Sequence, residues 1–238
     1  MEIIRHCRGY EDALDAFLSA SSSITSISKL LLHRVNWKHK LILVESIIND
    51  WTFVKNTYTR DIMLKYARIG RRGSSVFFYL GYSSCVFLFS SFIFANFVNF
   101  DLPWSFEEQI YNKTSEMRMF LAAYCVFGSY TSIAYGFVEV LQILQIIVNC
   151  ISHCGHDGFF FDLTMHVCGQ FEVFRMEFSE IENNKEFFDR NKLGMMLKKH
   201  HRLIYLAYHL QEAFNLVILI QVLLSVILLC VEGTFYLK

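Results

Sequence analysis

The sequence predicts an all-α protein, a polytopic transmembrane helical bundle, and three observations support this prediction. Of the 238 residues, 54% are hydrophobic and only 18% are charged, and the mean hydropathy is +0.33, which is too apolar for an ordinary soluble domain. The run from Gly73 to Phe100 has no charged side chain over 28 residues, whereas about 20 apolar residues suffice for a helix to cross a bilayer. The single proline favours long helices with few breaks.

Residues 13–35 form the first and weakest candidate span. Asp15 and Lys29 bracket a Ser-rich middle of moderate hydropathy. A spanning helix tolerates such hydroxyls when they bond to its own carbonyls or to a neighbouring helix. An amphipathic helix on the membrane surface fits the same residues equally well, so both interpretations stay open here.

The second span, at about residues 74–98, follows a basic connector. Residues 33–72 carry nine Lys/Arg against three acids. Within them the stretch LILVESIINDWTFV has the apolar spacing of a helix, which we predict to lie outside the membrane. Because an excess of Lys/Arg marks the cytoplasmic side, the second span is predicted to run from the cytoplasm outwards.

The loop after this span, Asp101–Arg118, has the opposite charge bias. It contains four acids against two bases, and its Asn112-Lys113-Thr114 is the one Asn-x-Ser/Thr sequon of the chain. Such a sequon accepts glycans only on the outer side of the membrane. We therefore predict that this loop is extracellular and that Asn112 is glycosylated.

Two further spans are predicted at residues 119–148 and 203–231. Between them, residues 149–202 carry seven bases and eight acids. This charged stretch is predicted to form amphipathic cytoplasmic helices that continue the spans below the membrane. Near the inner end of the last span, His209 and Glu212 lie three residues apart on one helix face and could pair.

No enzyme signature occurs in the chain, since phosphate-binding glycine loops, nucleophile elbows and HExxH motifs are all missing from the sequence. A group of histidines and cysteines lacks the two-plus-two spacing of a structural zinc site: Cys150, His153, Cys154, His156, His166 and Cys168. We expect no catalytic residues, no metal site and no cofactor. The zero net charge gives no reason to expect nucleic-acid binding.

Two helical stripes combine aromatic rings with hydroxyls in the outer membrane half. The stripe on the second span consists of Ser84, Phe87, Leu88, Ser91 and Ala95, and that on the third span includes Tyr124, Phe127 and Thr131. Such surfaces suit a pocket for a small, mostly apolar ligand. Ordinary packing between helices explains the same residues, so both interpretations stay open at this point.

Several phrases together resemble the insect odorant receptor family, and they cover most of residues 35–232. In order, they are INDW…TRDIMLKYARIGRR, an outer LPW, FFFDLTMHVCGQFEVFRMEFSEI, and HHRLIYLAYHLQEAFNLVILIQVLLSVILLC. The resemblance implies a seven-helix protein with a cytoplasmic N-terminus in the plasma membrane of sensory neurons. It also implies an odorant-gated cation channel that forms hetero-tetramers with a shared co-receptor (Orco).

By the same resemblance, the odorant pocket is expected in the outer membrane half, where the two stripes lie. The chain is expected to begin after the family's first helix and to stop after the fifth, as a single incomplete receptor domain covering helices two to five. The alternatives are a gustatory-type chemoreceptor, or a non-receptor membrane protein such as a scaffold or a transporter.

Overall fold

The computed structural model describes residues 10–54, 56–100, 132–183 and 190–236. Within these ranges every element is a helix and no strand occurs. The helices are α1 (Tyr10–Val35), α2 (Trp37–Phe53), α3 (Thr57–Phe100), α4 (Ser132–Asn183) and α5 (Arg190–Tyr236). The predicted all-α class is confirmed.

Three of these helices are much longer than a bilayer requires. α3, α4 and α5 have 44, 52 and 47 residues, which at 1.5 Å per residue correspond to about 66, 78 and 70 Å. The hydrocarbon layer is only about 30 Å thick. The prediction that charged helices continue the apolar runs is therefore confirmed, and α2 confirms the helix predicted within the basic connector.

Three of the described helices contain segments long and apolar enough to cross a membrane: Thr57–Ser91, Phe137–Ile181 and Arg190–Thr234. Only 6%, 17% and 11% of their most apolar windows are buried. An exposed apolar surface of this extent is what a lipid-facing helix requires, and the chain is an all-α membrane bundle. The span limits 13–35, 74–98, 119–148 and 203–231 stay predictions, and residues 119–131 lie outside the described ranges.

The chain divides into two compact units. The first comprises Met1–Ile27, Leu80–Ser152 and Leu224–Lys238, and the second comprises Ser28–Tyr79 and His153–Leu223. Because the long helices contribute residues to both, the division separates portions of helices rather than consecutive domains.

In the first unit, α1 contacts α4 through polar side chains. Gln145 Nε2 donates hydrogen bonds to Ser23 Oγ at 2.6 Å and to Ser19 Oγ at 3.1 Å. Ser152 Oγ donates to the Ser26 carbonyl at 3.3 Å. Hydroxyls of α1 also bond back to their own helix, as Ser23 does to the Ser19 carbonyl. The hydroxyl of Ser23 thus makes both kinds of bond expected from the sequence, whereas the buried Oγ of Ser26 has no hydrogen-bond partner within the described residues.

The second unit has an apolar core built from α2, α4 and α5, whose buried members are Leu43, Leu163, Val167, Leu206, Ala213 and Phe214. The ring of Phe214 lies 4.9 Å from that of Phe160 and 6.2 Å from that of Phe159, between centroids. Tilted aromatic contacts at these distances contribute stability beyond the area that they bury. This core holds together α2, α4 and α5, which carry most of the charged residues described below.

Candidate functional site

The described part of the predicted ligand surface is the stripe of α3 in the first unit. Ser84, Phe87, Leu88 and Ser91 are all exposed on this helix, Phe87 to 71%. Ser84 Oγ donates to the Gly81 carbonyl at 2.8 Å and Ser91 Oγ to the Leu88 carbonyl at 2.9 Å. Each hydroxyl thus donates its hydrogen to its own helix, and its oxygen can still accept a hydrogen bond from another molecule.

The other predicted site residues, Tyr124, Phe127 and Thr131, lie outside the described residues, as does the sequon residue Asn112. The ligand surface and the glycosylation site therefore stay predictions. A shallow depression elsewhere, in the second unit, is lined by residues of α4 alone: Cys168, Phe171, Glu172, Phe174, Arg175 and Phe178. Because only one helix lines it, this depression does not enclose a ligand.

The second unit contains a buried ionic cluster that the sequence did not predict: Lys29, His33, Lys40, His156 and Asp157. Lys29 is only 1% exposed, and its Nζ donates to Asp157 Oδ1 at 2.7 Å. His156 Nδ1 lies 3.7 Å from the same oxygen. The Asp157 carboxylate, 31% exposed, supplies the negative charge that a buried ammonium needs.

Lys40 is the second buried lysine of this cluster, also 1% exposed. Its Nζ lies 2.8 Å from His33 Nδ1, and since an ammonium only donates hydrogen bonds, that nitrogen accepts. The same Nζ lies 5.0 Å from the ring centroid of Phe214, within cation–π range. Burial lowers the pKa of Lys40 from 10.5 to about 8, so the side chain stays mostly charged at pH 7.

A pair of histidines joins α2 to α5 in the same unit. His39 Nδ1 lies 2.7 Å from His209 Nδ1, so one ring must donate and the other must accept. The ring of Tyr205 meets His209 edge-on at 4.2 Å. The sequence pattern suggested Glu212 as the partner of His209, but the hydrogen-bonding partner is His39, which lies 170 residues away in the chain.

Asp50 connects three helices of the second unit. Its carboxylate accepts from Arg202 at 2.5 Å and lies 3.1 Å from His166 Nε2. Arg202 also donates to Ser46 Oγ at 2.7 Å. Burial alone raises the pKa of Asp50, but the hydrogen bonds and charges of His166 and Arg202 outweigh it and hold that pKa below its ordinary value. Asp50 is thus held in its ionised form.

These ionic contacts join helices of the second unit to one another. Among the described residues, no three His, Cys, Asp or Glu side chains are grouped so that they could hold a metal ion. His156 and His166, which the sequence placed near several cysteines, instead lie beside Asp157 and Asp50. The sequence signal of the cluster is Lys29, the single Asp, Glu, Lys or Arg between Asp15 and Arg34 in the apolar and hydroxyl-rich part of α1.

Comparison with known proteins agrees with this membrane architecture. No curated protein matches the chain. The family model described as 7tm Odorant receptor matches residues 10–234, which is most of the 238-residue chain and includes α1 to α4 and all but the last two residues of α5. That family consists of receptors and channels rather than enzymes. The chain therefore belongs to the seven-transmembrane odorant receptor family.

Proposed function

We propose that the chain is an odorant receptor subunit that binds small, volatile, mostly apolar molecules. It combines with the co-receptor (Orco) in a hetero-tetramer that acts as a ligand-gated cation channel. Its place is the plasma membrane of sensory neurons, which it crosses several times. The family match over residues 10–234 is the observation that supports this proposal most strongly.

The stripe of Ser84, Phe87, Leu88 and Ser91 is the part of α3 that we propose to contact the odorant. A volatile ligand that buries about 250 Å² of apolar surface gains about 6 kcal/mol, which corresponds to affinities between millimolar and micromolar. One hydrogen bond to a serine hydroxyl adds about 1 kcal/mol. Such a bond therefore changes affinity about fivefold, enough to set tuning among ligands of similar size.

Tyr124, Phe127 and Thr131 form the proposed opposite wall. Binding opens a channel only if the ligand makes better contacts in the open state than in the closed one. Aromatic rings suit this requirement, because a small change in helix rotation alters how they meet an apolar ligand.

For the topology, we propose that Asp101–Arg118 is extracellular and that Asn112 carries a glycan. The excess of basic residues in 33–72, before the span at about 74–98, and the excess of acidic residues in Asp101–Arg118, after it, support this orientation. Asn112→Gln should abolish the glycosidase-sensitive shift of the chain on a gel. A loop that is reachable only from the cytoplasm in intact cells would contradict the orientation.

The function is tested by expressing the chain with the co-receptor in cells and recording odorant-evoked current. Surface density of a tagged chain is measured on the same cells, so that poor trafficking is separated from lack of response. A current that requires both chains supports the proposal. Silence towards a broad odorant panel, at normal surface density and with a responsive control receptor, would contradict it.

The ligand surface has a matched control within the same helix. Ser90 and Ser91 are both exposed, and both donate to the carbonyl three residues back at 2.9 Å, but they point about 100° apart. Ser91→Leu should shift the dose–response curve for some odorants by about fivefold or more, whereas Ser90→Leu should not. Equal effects of the two substitutions would remove the reason for placing the ligand on this stripe.

A further inference from the structure

One face of the first part of α3 packs tightly against α4 in the second unit. Ser74 Oγ donates to the Gly158 carbonyl at 3.0 Å. The ring of Phe161 lies directly against Gly73, where the Cβ of any other residue would overlap it. Gly70 is buried on the same face. These contacts fix which side of α3 faces its neighbour.

The opposite face of α3 is basic and exposed. With 100° between consecutive residues, Arg68 and Arg72 both lie about 160° from Gly70. Lys65 lies on their side, Arg71 flanks them, and all four basic side chains are exposed. Among the described residues, no carboxylate comes within 4 Å of Arg68, Arg71 or Arg72. We call these four residues the basic face.

The acids nearby leave this face with a net positive charge. Asp61 lies on the same side of α3, one turn before Lys65. Glu172 interacts electrostatically with Lys65, but Arg175 already binds its carboxylate at 2.6 and 2.9 Å. Asp162 approaches α3 from the packed side, beside the glycines. The guanidinium groups are therefore not neutralised within the described chain.

Beyond the basic face, the same side of α3 becomes aromatic and apolar. Tyr79 continues the stripe of Arg68 and Arg72 and is 74% exposed. From Gly73 onwards the helix has no charge up to Phe100. Arg72 directly precedes this charge-free run, and Arg68 lies about 6 Å before Arg72 along the axis. Since the headgroup layer is about 5 to 8 Å thick, a hydrocarbon boundary at the start of the run places both arginines at the level of the phosphates.

We infer that the basic face of α3 binds the headgroups of anionic phospholipids. Arginine suits this role because its planar guanidinium donates two parallel hydrogen bonds to a phosphate. The ligand is a lipid of the bilayer rather than a free phosphate, because the basic residues directly precede an exposed, membrane-length apolar run. Each basic residue near an anionic bilayer strengthens binding about fivefold.

The test uses the purified full chain in detergent, titrated with phosphatidylserine or phosphatidylcholine, with bound lipid counted by native mass spectrometry. The variant Arg68→Gln/Arg71→Gln/Arg72→Gln removes three charges from the face. A control, Lys38→Gln/Arg190→Gln/Lys198→Gln, removes the same charge from exposed positions elsewhere in the second unit.

Phosphatidylserine should bind the unaltered chain in preference to phosphatidylcholine, and 0.5 M salt should weaken that preference. The arginine variant should lose more than tenfold in phosphatidylserine affinity with phosphatidylcholine binding unchanged, while the control should lose less than threefold. No preference in the unaltered chain, or equal losses in both variants, would overturn the inference. If the triple variant loses helicity, the double variant Arg68→Gln/Arg72→Gln is measured in its place. It should lose at least fivefold in phosphatidylserine affinity, and a smaller loss would overturn the inference.

Discussion

The two buried lysines of the second unit should respond in opposite ways to the same substitution by methionine. Lys29 faces a carboxylate at 2.7 Å, so Lys29→Met removes the ammonium partner of Asp157 and leaves the His156 imidazole, 3.7 Å away. Breaking a buried ion pair costs about 3 to 5 kcal/mol, and since Asp157 is 31% exposed, we discount this to about 2 kcal/mol. The variant should unfold at a lower temperature.

Lys40 has no carboxylate within 4 Å in the described chain, so its buried charge lowers the stability of the fold. Its pKa of about 8 against an ordinary 10.5 corresponds to about 3 kcal/mol by which folding disfavours the charged form. Loss of the hydrogen bond to His33 in Lys40→Met offsets about 1 kcal/mol of this. The variant should therefore be more stable by about 2 kcal/mol at pH 7, because methionine fills the same volume without a charge.

The assay is thermal unfolding in detergent, followed by tryptophan fluorescence at pH 7 and pH 10. For a chain of this size 1 kcal/mol corresponds to about 2 to 4 °C, so the two variants should differ by about 8 °C or more at pH 7. Because the pKa of Lys40 is lowered from 10.5 to about 8 in the folded chain, its charge destabilises the fold fully below about pH 8. This destabilisation decreases as the pH rises towards 10.5. The advantage of Lys40→Met should accordingly shrink at pH 10. If Lys40→Met melts as low as Lys29→Met at pH 7, the charge of Lys40 is stabilising and this reasoning is refuted.

Three further predictions concern contacts within each unit, and each is checked by thermal unfolding. Asp50→Asn should cost about 2 kcal/mol at pH 7, because its guanidinium partner loses a charge-assisted bond. Since the pKa of Asp50 is lowered, this loss of stability should be complete above about pH 4 and should disappear as the pH falls further and the carboxylate is protonated. A difference in stability between the variant and the unaltered chain that does not change with pH would contradict the ion pair of Asp50 with Arg202. Gly155→Ala, with nothing within 4 Å of the new methyl, should gain up to about 1 kcal/mol. Gly73→Ala should instead lose about 1 to 3 kcal/mol by displacing Phe161, and equal effects would refute the tight packing. Gln145→Leu should cost about 1 kcal/mol, the sum of two hydrogen bonds in a membrane protein; no change would mean that these bonds contribute nothing.

The sequence predicted the helices well because apolar runs and helical spacing are local patterns. The absence of charge from Gly73 to Phe100 and the spacing of the connector before it identify α3 and α2 without any tertiary information. The ionic contacts could not be predicted, because their partners are far apart: 128 residues separate Lys29 from Asp157 and 170 separate His39 from His209. The spacing along α5 suggested Glu212 as the partner of His209, because a pattern along one helix contains no information about partners on other helices.

The orientation of α1 now favours one of the two interpretations that its sequence left open. Ser21, Ser26 and Lys29 are buried, whereas Ile24 and Ile27 are more than half exposed. In water the exposure of about half of each isoleucine side chain would cost about 1 to 1.5 kcal/mol, whereas in hydrocarbon it costs nothing. A helix lying on the membrane surface would turn its hydroxyls to water, yet here the hydroxyls of Ser19 and Ser23 accept hydrogen bonds from Gln145 of α4. A helix with lipid outside and hydroxyls inside is the arrangement that a spanning helix in a bundle requires, so we propose that residues 13–35 cross the membrane.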